Sequence, residues 1–333
     1  MKGLMPDSGL NEAERVRQRR FSFAHIATIM LVAAIAAFAS WVTATRADRY
    51  PIAARTVTLH GEALVLPADA GAPLRLVGAW RLTADDYRFG GLSALVVSDG
   101  GLMALSDSGG LFRFAFPTGP RETVFVSELR AGPGAATLKK NRDSEALVLD
   151  PDGEGWWVAF EFRNEIWRYS RTFDGATGRI GFGLKRWPVN LGIEAMLVDR
   201  DRLILIPEQA HEVVTLIGDR ATSKPLVGVG SKIADAVRLP DGAILVLLRE
   251  VGLSGFRTSL GLLVEGTDAW RVERRVPLNV GTLANLEGLA VERRPHGALR
   301  LWIVSDDNFQ HPLETVLVAF DLPPGGWPGR KAN

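Results

Sequence analysis

One phrase recurs along this chain, and it limits the fold more than any other feature. It reads as a short apolar run, a turn rich in Asp, Gly and Pro, and a second apolar run. It begins at Phe89 (FGGLSALVVSDGGLMALSDSG), Arg142 (RDSEALVLDPDGEGWWVAFEF), Leu191 (LGIEAMLVDRDRLILIPEQ), Lys232 (KIADAVRLPDGAILVLLRE) and Asn285 (NLEGLAVERRPHGALRLWIVSDDNF). Each copy predicts strand, turn, strand. The runs are too short for most helices, and 35 glycines and 18 prolines supply the turns.

One position of the phrase falls at Ser93, Glu145, Glu194, Asp235 and Glu287, at spacings of 52, 49, 41 and 52 residues. Further strand-like runs fill the gaps, so about four short strands fit each interval. That period predicts an all-β fold, a β-propeller. We read six blades over residues 50–323. The sixth pairs Arg55–Leu66 with Thr315–Leu322, which closes the ring and leaves no exposed edge. Five and seven blades are the alternatives. Residues 132–141 read as a loop, and 324–333 as a flexible tail.

A charge in the middle of an apolar strand is costly unless it is exposed, paired or bound to a cation. If the first strand of each phrase lines the central channel, Glu145, Glu194, Asp235 and Glu287 converge on its axis. Converging carboxylates repel unless a cation offsets them. A second polar row, Asp107, Glu161, Glu208, Arg249 and Asp306, follows 14, 16, 14, 14 and 19 residues later. An out-and-back hairpin of that length returns to the same rim. The expected metal ligands are therefore Glu145, Glu194, Asp235, Glu287, Asp107 and Asp306. Hard oxygen donors suit Ca²⁺, with other divalent cations not excluded.

Metal-assisted hydrolysis fits these residue types. Glu161 or Glu208 is the expected general base. Arg249 is expected at the catalytic centre, holding an anionic ester by bidentate hydrogen bonds, with Lys232 and Ser93 on the substrate side. Acids at strand ends also cap turns, and that reading stands beside the catalytic one for each residue. Asp99, Asp152 and Asp241 lie inside turns and are read as turn formers. No G-x-S-x-G elbow occurs. The histidines read as ordinary surface or structural residues.

A net charge of +1 excludes a broad nucleic-acid surface. The absence of cysteine excludes disulfides and thiolate zinc sites. At the N-terminus, a basic segment over residues 1–20 (Arg15–Arg20, RVRQRR) precedes an apolar run over 21–45. This predicts a hydrophobic signal or membrane-anchor helix. It places the rest of the chain outside the cytoplasm, periplasmic or held at the inner membrane. Oligomeric state is not legible.

GGLSAL with ALSDSG, DSEALVLDPDGEGWWVAFE, NLGIEAM, IADAVRLPDGAILVLLRE with GFRTSLG, and NLEGLAV with IVSDDNF occur in that order over residues 88–310. Together they resemble the phytase-like family, named for the esterase-like activity of phytase. The resemblance implies a bacterial β-propeller, secretion or membrane attachment, and hydrolysis of phosphate or other esters. The chain departs from the pattern after Asp107, where Ser108 and Gly109 stand in place of a further charged residue. A non-catalytic propeller that binds Ca²⁺ and a ligand or protein partner is the alternative from a different class.

Overall fold

The structure is a computed structural model. It describes residues 53–329 apart from 118, 182–186, 188–191, 210, 219, 254 and 282–283, together with Thr28, Met30 and Leu31. The chain divides into Met1–Ala47 and Asp48–Asn333, and the second unit is described below. The basic segment and all but those three residues of the expected signal or anchor lie outside the described residues. Among the described residues no helix is long and apolar enough to cross a membrane.

Two strands open the unit, β1 (Arg55–Ala63) and β2 (Arg75–Ala84). Four antiparallel meanders of four strands follow. The first is β3 (Leu92–Ser98), β4 (Gly101–Ser106), β5 (Gly110–Ala115) and β6 (Arg121–Glu128). The second is β7 (Ser144–Leu149), β8 (Gly155–Phe160), β9 (Glu165–Ser170) and β10 (Ala176–Gly181). The third is β11 (Ile193–Asp199), β12 (Arg202–Pro207), β13 (Glu212–Ile217) and β14 (Arg220–Val227). The fourth is β15 (Lys232–Arg238), β16 (Ile244–Gly252), β17 (Gly255–Glu265) and β18 (Trp270–Leu278). A fifth set, β19 (Asn285–Arg293), β20 (Leu299–Asp306) and β21 (Val316–Asp321), takes β2 as its fourth strand.

The turns follow local chemistry. Ser98 pairs with Gly101 across Asp99-Gly100, both at positive φ, as a type I′ hairpin requires. Asp152 and Asp241 accept backbone N–H bonds from Glu154 (2.8 Å) and Ala243 (3.0 Å) inside their turns.

The six-bladed propeller expected from the sequence does not form. Among the described residues the strands join into three hydrogen-bonded sheets, of nine, four and eight strands. Two joints cause this. β1 pairs with both β2 and β6, which fuses the fifth set to the first. β14 and β18 pair in parallel, which fuses the third to the fourth. The nine-stranded sheet curls until its end strands β19 and β3 meet, and the eight-stranded sheet until β11 and β15 meet. Each is a nearly closed, barrel-like sheet. The terminal strands make no sixth blade, because β2 serves as the outer strand of the fifth set and leaves β1 to bridge.

The first strands β3, β7, β11, β15 and β19 pack successively against one another, and β19 returns to β3. This ring positions the site. Around it the apolar faces bury Trp270, Trp302, Phe112 and Phe320 almost completely. The terminal segment expected to be flexible is docked as far as described. Trp327 is 1% exposed within the core cluster, and its Nε1 donates to the Arg274 carbonyl (3.3 Å).

Candidate functional site

Each first strand carries a β-bulge one or two residues after it begins, and the bulges set the phase of the site. The register slips at Ser93, Glu145, Glu194, Ala234 and Glu287. A bulged residue has no cross-strand partner, and the bulge re-aims its side chain. Two positions earlier stand Gly91, Asp143, Gly192, Lys232 and Asn285. Opposite these lie Asp107, Glu161, Glu208, Arg249 and Asp306. Their backbones are joined as Asp107 N to Gly91 O (2.7 Å), Glu161 N to Asp143 O (2.9 Å) and Glu208 N to Gly192 O (3.0 Å), and as the register pairs Lys232–Arg249 and Asn285–Asp306.

Asp235 is therefore out of phase with the other acids, and Ala234 holds the equivalent position. IADA aligns with IEAM and LEGL by its first alanine, and a one-residue slip sends a strand side chain to the opposite face. Asp235 accepts N–H bonds from Ala236 and Leu289, each 2.7 Å, and so clamps β15 to β19. It takes the place of Ala94, Ala146, Ala195 and Gly288. A Cβ on Gly288 would come within 2.9 Å of the Leu95 backbone nitrogen, so the neighbouring position has no room for a side chain. Burial pushes the Asp235 carboxyl well up, against the pull of its two backbone donors. Ser93 is at a bulge, but its hydroxyl donates to Ser144 O (2.6 Å).

The other expected residues gather. Arg249 donates to Asn285 Oδ1 (2.7 Å) and to Glu287, and lies 3.8 Å from Glu208. Asn285 Nδ2 donates to Glu287 (2.7 Å). Lys232 pairs with Glu208. Burial works against the Arg249 charge, yet Glu287, Glu194 and Glu208 together raise its pKa. Asp306 accepts from Asn308 N (2.6 Å). Its carboxyl is pushed well up by burial, then by Glu287 and Asp107.

Two functional residues were missed from sequence. Asp143 groups with Glu145 and Glu161, with ligand oxygens within 4.8 Å of one another. Lys139, on the short 3-10 turn Lys139–Asn141, bridges Asp107 (2.7 Å) and Asp143 (3.0 Å). Asp143 stands two residues before Glu145, where no other copy of the phrase has an acid, so the repeat gave no signal for it. Lys139 sits in a segment that read as a plain loop.

This leaves an uneven charge distribution. Asp107, Asp143, Glu208 and Glu287 each have a cationic partner. Glu145 and Glu194 have no hydrogen-bond partner among the described residues, and Glu194 is only 7% exposed. Burial raises the Glu145 carboxyl well above its usual range, and Glu194, Asp143 and Glu161 add to it. Burial likewise raises Glu194, with Glu161 and Glu208 next. Glu161 is pushed up to about 8 by burial, then by Asp143 and Glu208, against a hydrogen bond from the Gly192 backbone. Hard, mutually repelling oxygens at this separation fit a divalent cation. The donors offer no thiolate or imidazole for a softer metal.

The family model described as "Phytase-like: Esterase-like activity of phytase" matches residues 87–309, more than half of the chain. No curated protein matches. Among solved structures, glutaminyl cyclase from Myxococcus xanthus is similar at 12% identity and a TM-score of 0.44, over 75% of this chain and 97% of that one. A putative 6-phosphogluconolactonase from Bacteroides uniformis is similar at 13% identity and a TM-score of 0.37, over 78% and 94%.

Proposed function

The chain belongs to the phytase-like family, and from that premise we propose that its acidic cluster holds one divalent cation that engages an anionic ester. The observation that carries this reading is the grouping of Asp143, Glu145 and Glu161 within 4.8 Å, with unpartnered Glu194 beside it. Glu145, Glu161, Glu194 and Asp306 are the in-phase acids of the two rows without a cationic partner among the described residues, and the first three repel one another most directly. Ca²⁺ is the proposed ion, because it accepts all-carboxylate oxygen sets in flexible geometry, whereas Mg²⁺ keeps several of its waters.

A bound cation supplies positive charge toward an ester oxygen. The chain's own residues supply the rest. Glu161, pushed up to about 8 in the ion-free chain, would stand as the carboxylate beside the cation, placed to accept a proton. Lys232, with its side chain 48% exposed, offers an ammonium to the ester's negative group. Arg249, at 11%, is the more enclosed cation and positions Glu287 and Glu208. The placement outside the cytoplasm rests on the basic N-terminal sequence and the family likeness.

Calorimetric titration of Ca²⁺ into the chelator-treated chain tests the reading, followed by titration of phenyl phosphate with and without the ion. The expected result is one Ca²⁺ per chain, ester binding only in the loaded form, and a roughly hundredfold weaker Ca²⁺ affinity in Glu145→Gln. Ester binding indifferent to the cation would overturn the proposal.

A further inference from the structure

Gly91 is the first set's counterpart of Asp143, and the space its missing side chain leaves is filled from elsewhere in the chain. A Cβ on Gly91 would lie 2.4 Å from Cε2 of Phe309 and 2.5 Å from Oδ1 of Asp107. The Phe309 ring edge and the Asp107 carboxylate therefore share the rim where Asp143 stands one set further on. Asp107 is joined through Lys139 to Asp143, so the ring is one ionic link from the cluster.

Phe309 is held there at a conformational cost. It and Asn308 are consecutive left-handed residues, with φ of 51° and 48°. A bulky side chain at positive φ is a true outlier. Such strain persists only where the surroundings impose it. Asp307 imposes it here. One of its oxygens accepts from Gly91 N (2.8 Å) and Phe309 N (3.0 Å), and the other from the Thr315 hydroxyl (3.0 Å). Burial of the ring does not account for the arrangement, because Phe309 stays 44% exposed. An aromatic face is thus fixed in solvent at the edge of a charged site.

Resting on the proposed cation and ester site, we infer that Phe309 is its apolar wall and selects esters whose organic group is planar and aromatic. The anionic end lies at the cation and Lys232, and the aromatic group stacks on the Phe309 ring in offset or edge geometry.

The test compares phenyl phosphate with methyl phosphate on the Ca²⁺-loaded full chain, by calorimetry. The wild type is expected to prefer the phenyl ester roughly tenfold. Phe309→Asn, a residue that tolerates positive φ, removes the ring and is expected to bring that ratio near one without changing Ca²⁺ affinity. Phe309→Tyr keeps the ring and the preference. If the Asn variant does not fold, Phe309→His, also suited to this backbone, is expected to keep only part of the preference. A wild type that binds both esters equally overturns the inference while leaving the site reading intact. A preference that survives in Phe309→Asn does the same. A loaded wild type that binds neither ester overturns both.

Discussion

The second and fourth sets of strands occupy equivalent places in the ring and carry opposite charge. The second presents Asp143, Glu145 and Glu161 at its three inward positions. The fourth presents Lys232, Ala234 and Arg249 at the same three. Geometry is shared because the bulge and the opposing strand end recur in both. Chemistry differs because nothing in the backbone dictates which side chain stands at a bulge. The ring is consequently polarised, with unpaired carboxylates on one side and cations on the other. Between them the paired acids Glu208 and Glu287 hold Arg249. An arrangement with a cation seat on one flank and ammonium and guanidinium groups on the other suits a ligand carrying negative charge.

That contrast is open to direct attack. The largest effect is expected from Arg249→Met, which leaves Glu287 and Glu208 buried without their guanidinium. Breaking a buried pair costs about 3–5 kcal/mol, so a denaturant melt should show a large drop in stability. Stability equal to wild type would mean that the cationic flank holds nothing in place. Asp235→Asn comes next. It leaves one of two backbone N–H groups facing an amide donor, at a cost of about 1–3 kcal/mol. Because Asp235 lies out of phase with the acids, Ca²⁺ affinity should be unchanged in this variant, and a weakened affinity would return Asp235 to the ligand set.

The smallest effect is a trend with pH. Burial, Asp143 and Glu208 raise Glu161 from 4.5 to about 8. The folded chain then binds its proton more tightly than the unfolded chain does. Stability contributed by the protonated form is present below about 4.5 and lost as the pH climbs toward about 8. The melting temperature of the chelated protein should therefore fall across that window. Saturating Ca²⁺ should flatten the fall, because it favours the carboxylate. A flat profile without the cation would remove the charge repulsion from the account.

The recurring phrase disclosed the strands, their turns and the two polar rows, because periodic apolar runs and Asp-Gly turns are local signals. The convergence of Glu145, Glu194 and Glu287 follows from that periodicity. What could not be read there depended on long-range pairing. The two joints, β1 between β2 and β6 and β14 beside β18, are edge choices that no local pattern encodes. The number of sets was overcounted because β1 and β21 both look like spare strands, while β2 in fact completes the fifth set. Asp235 was misplaced by one residue, since alternation alone does not show where a bulge falls. Asp143 and Lys139 escaped because each is unique to its set, and a search for repeats passes over what does not repeat.

The two joints have a mechanical consequence. Both large sheets are continuous through backbone hydrogen bonds across set boundaries, but β7–β10 stands as an isolated four-stranded sheet. Its seams with β3 and β11 carry no backbone ladder, only side-chain packing and side-chain hydrogen bonds such as that from Ser93 to Ser144 O. Amide exchange should therefore begin in this segment. It also bears Asp143, Glu145 and Glu161, while Glu194 lies just across the seam on β11. An ion shared among these four would act as a rivet at the ring's weakest joint, and exchange in β7–β10 should slow when it is bound.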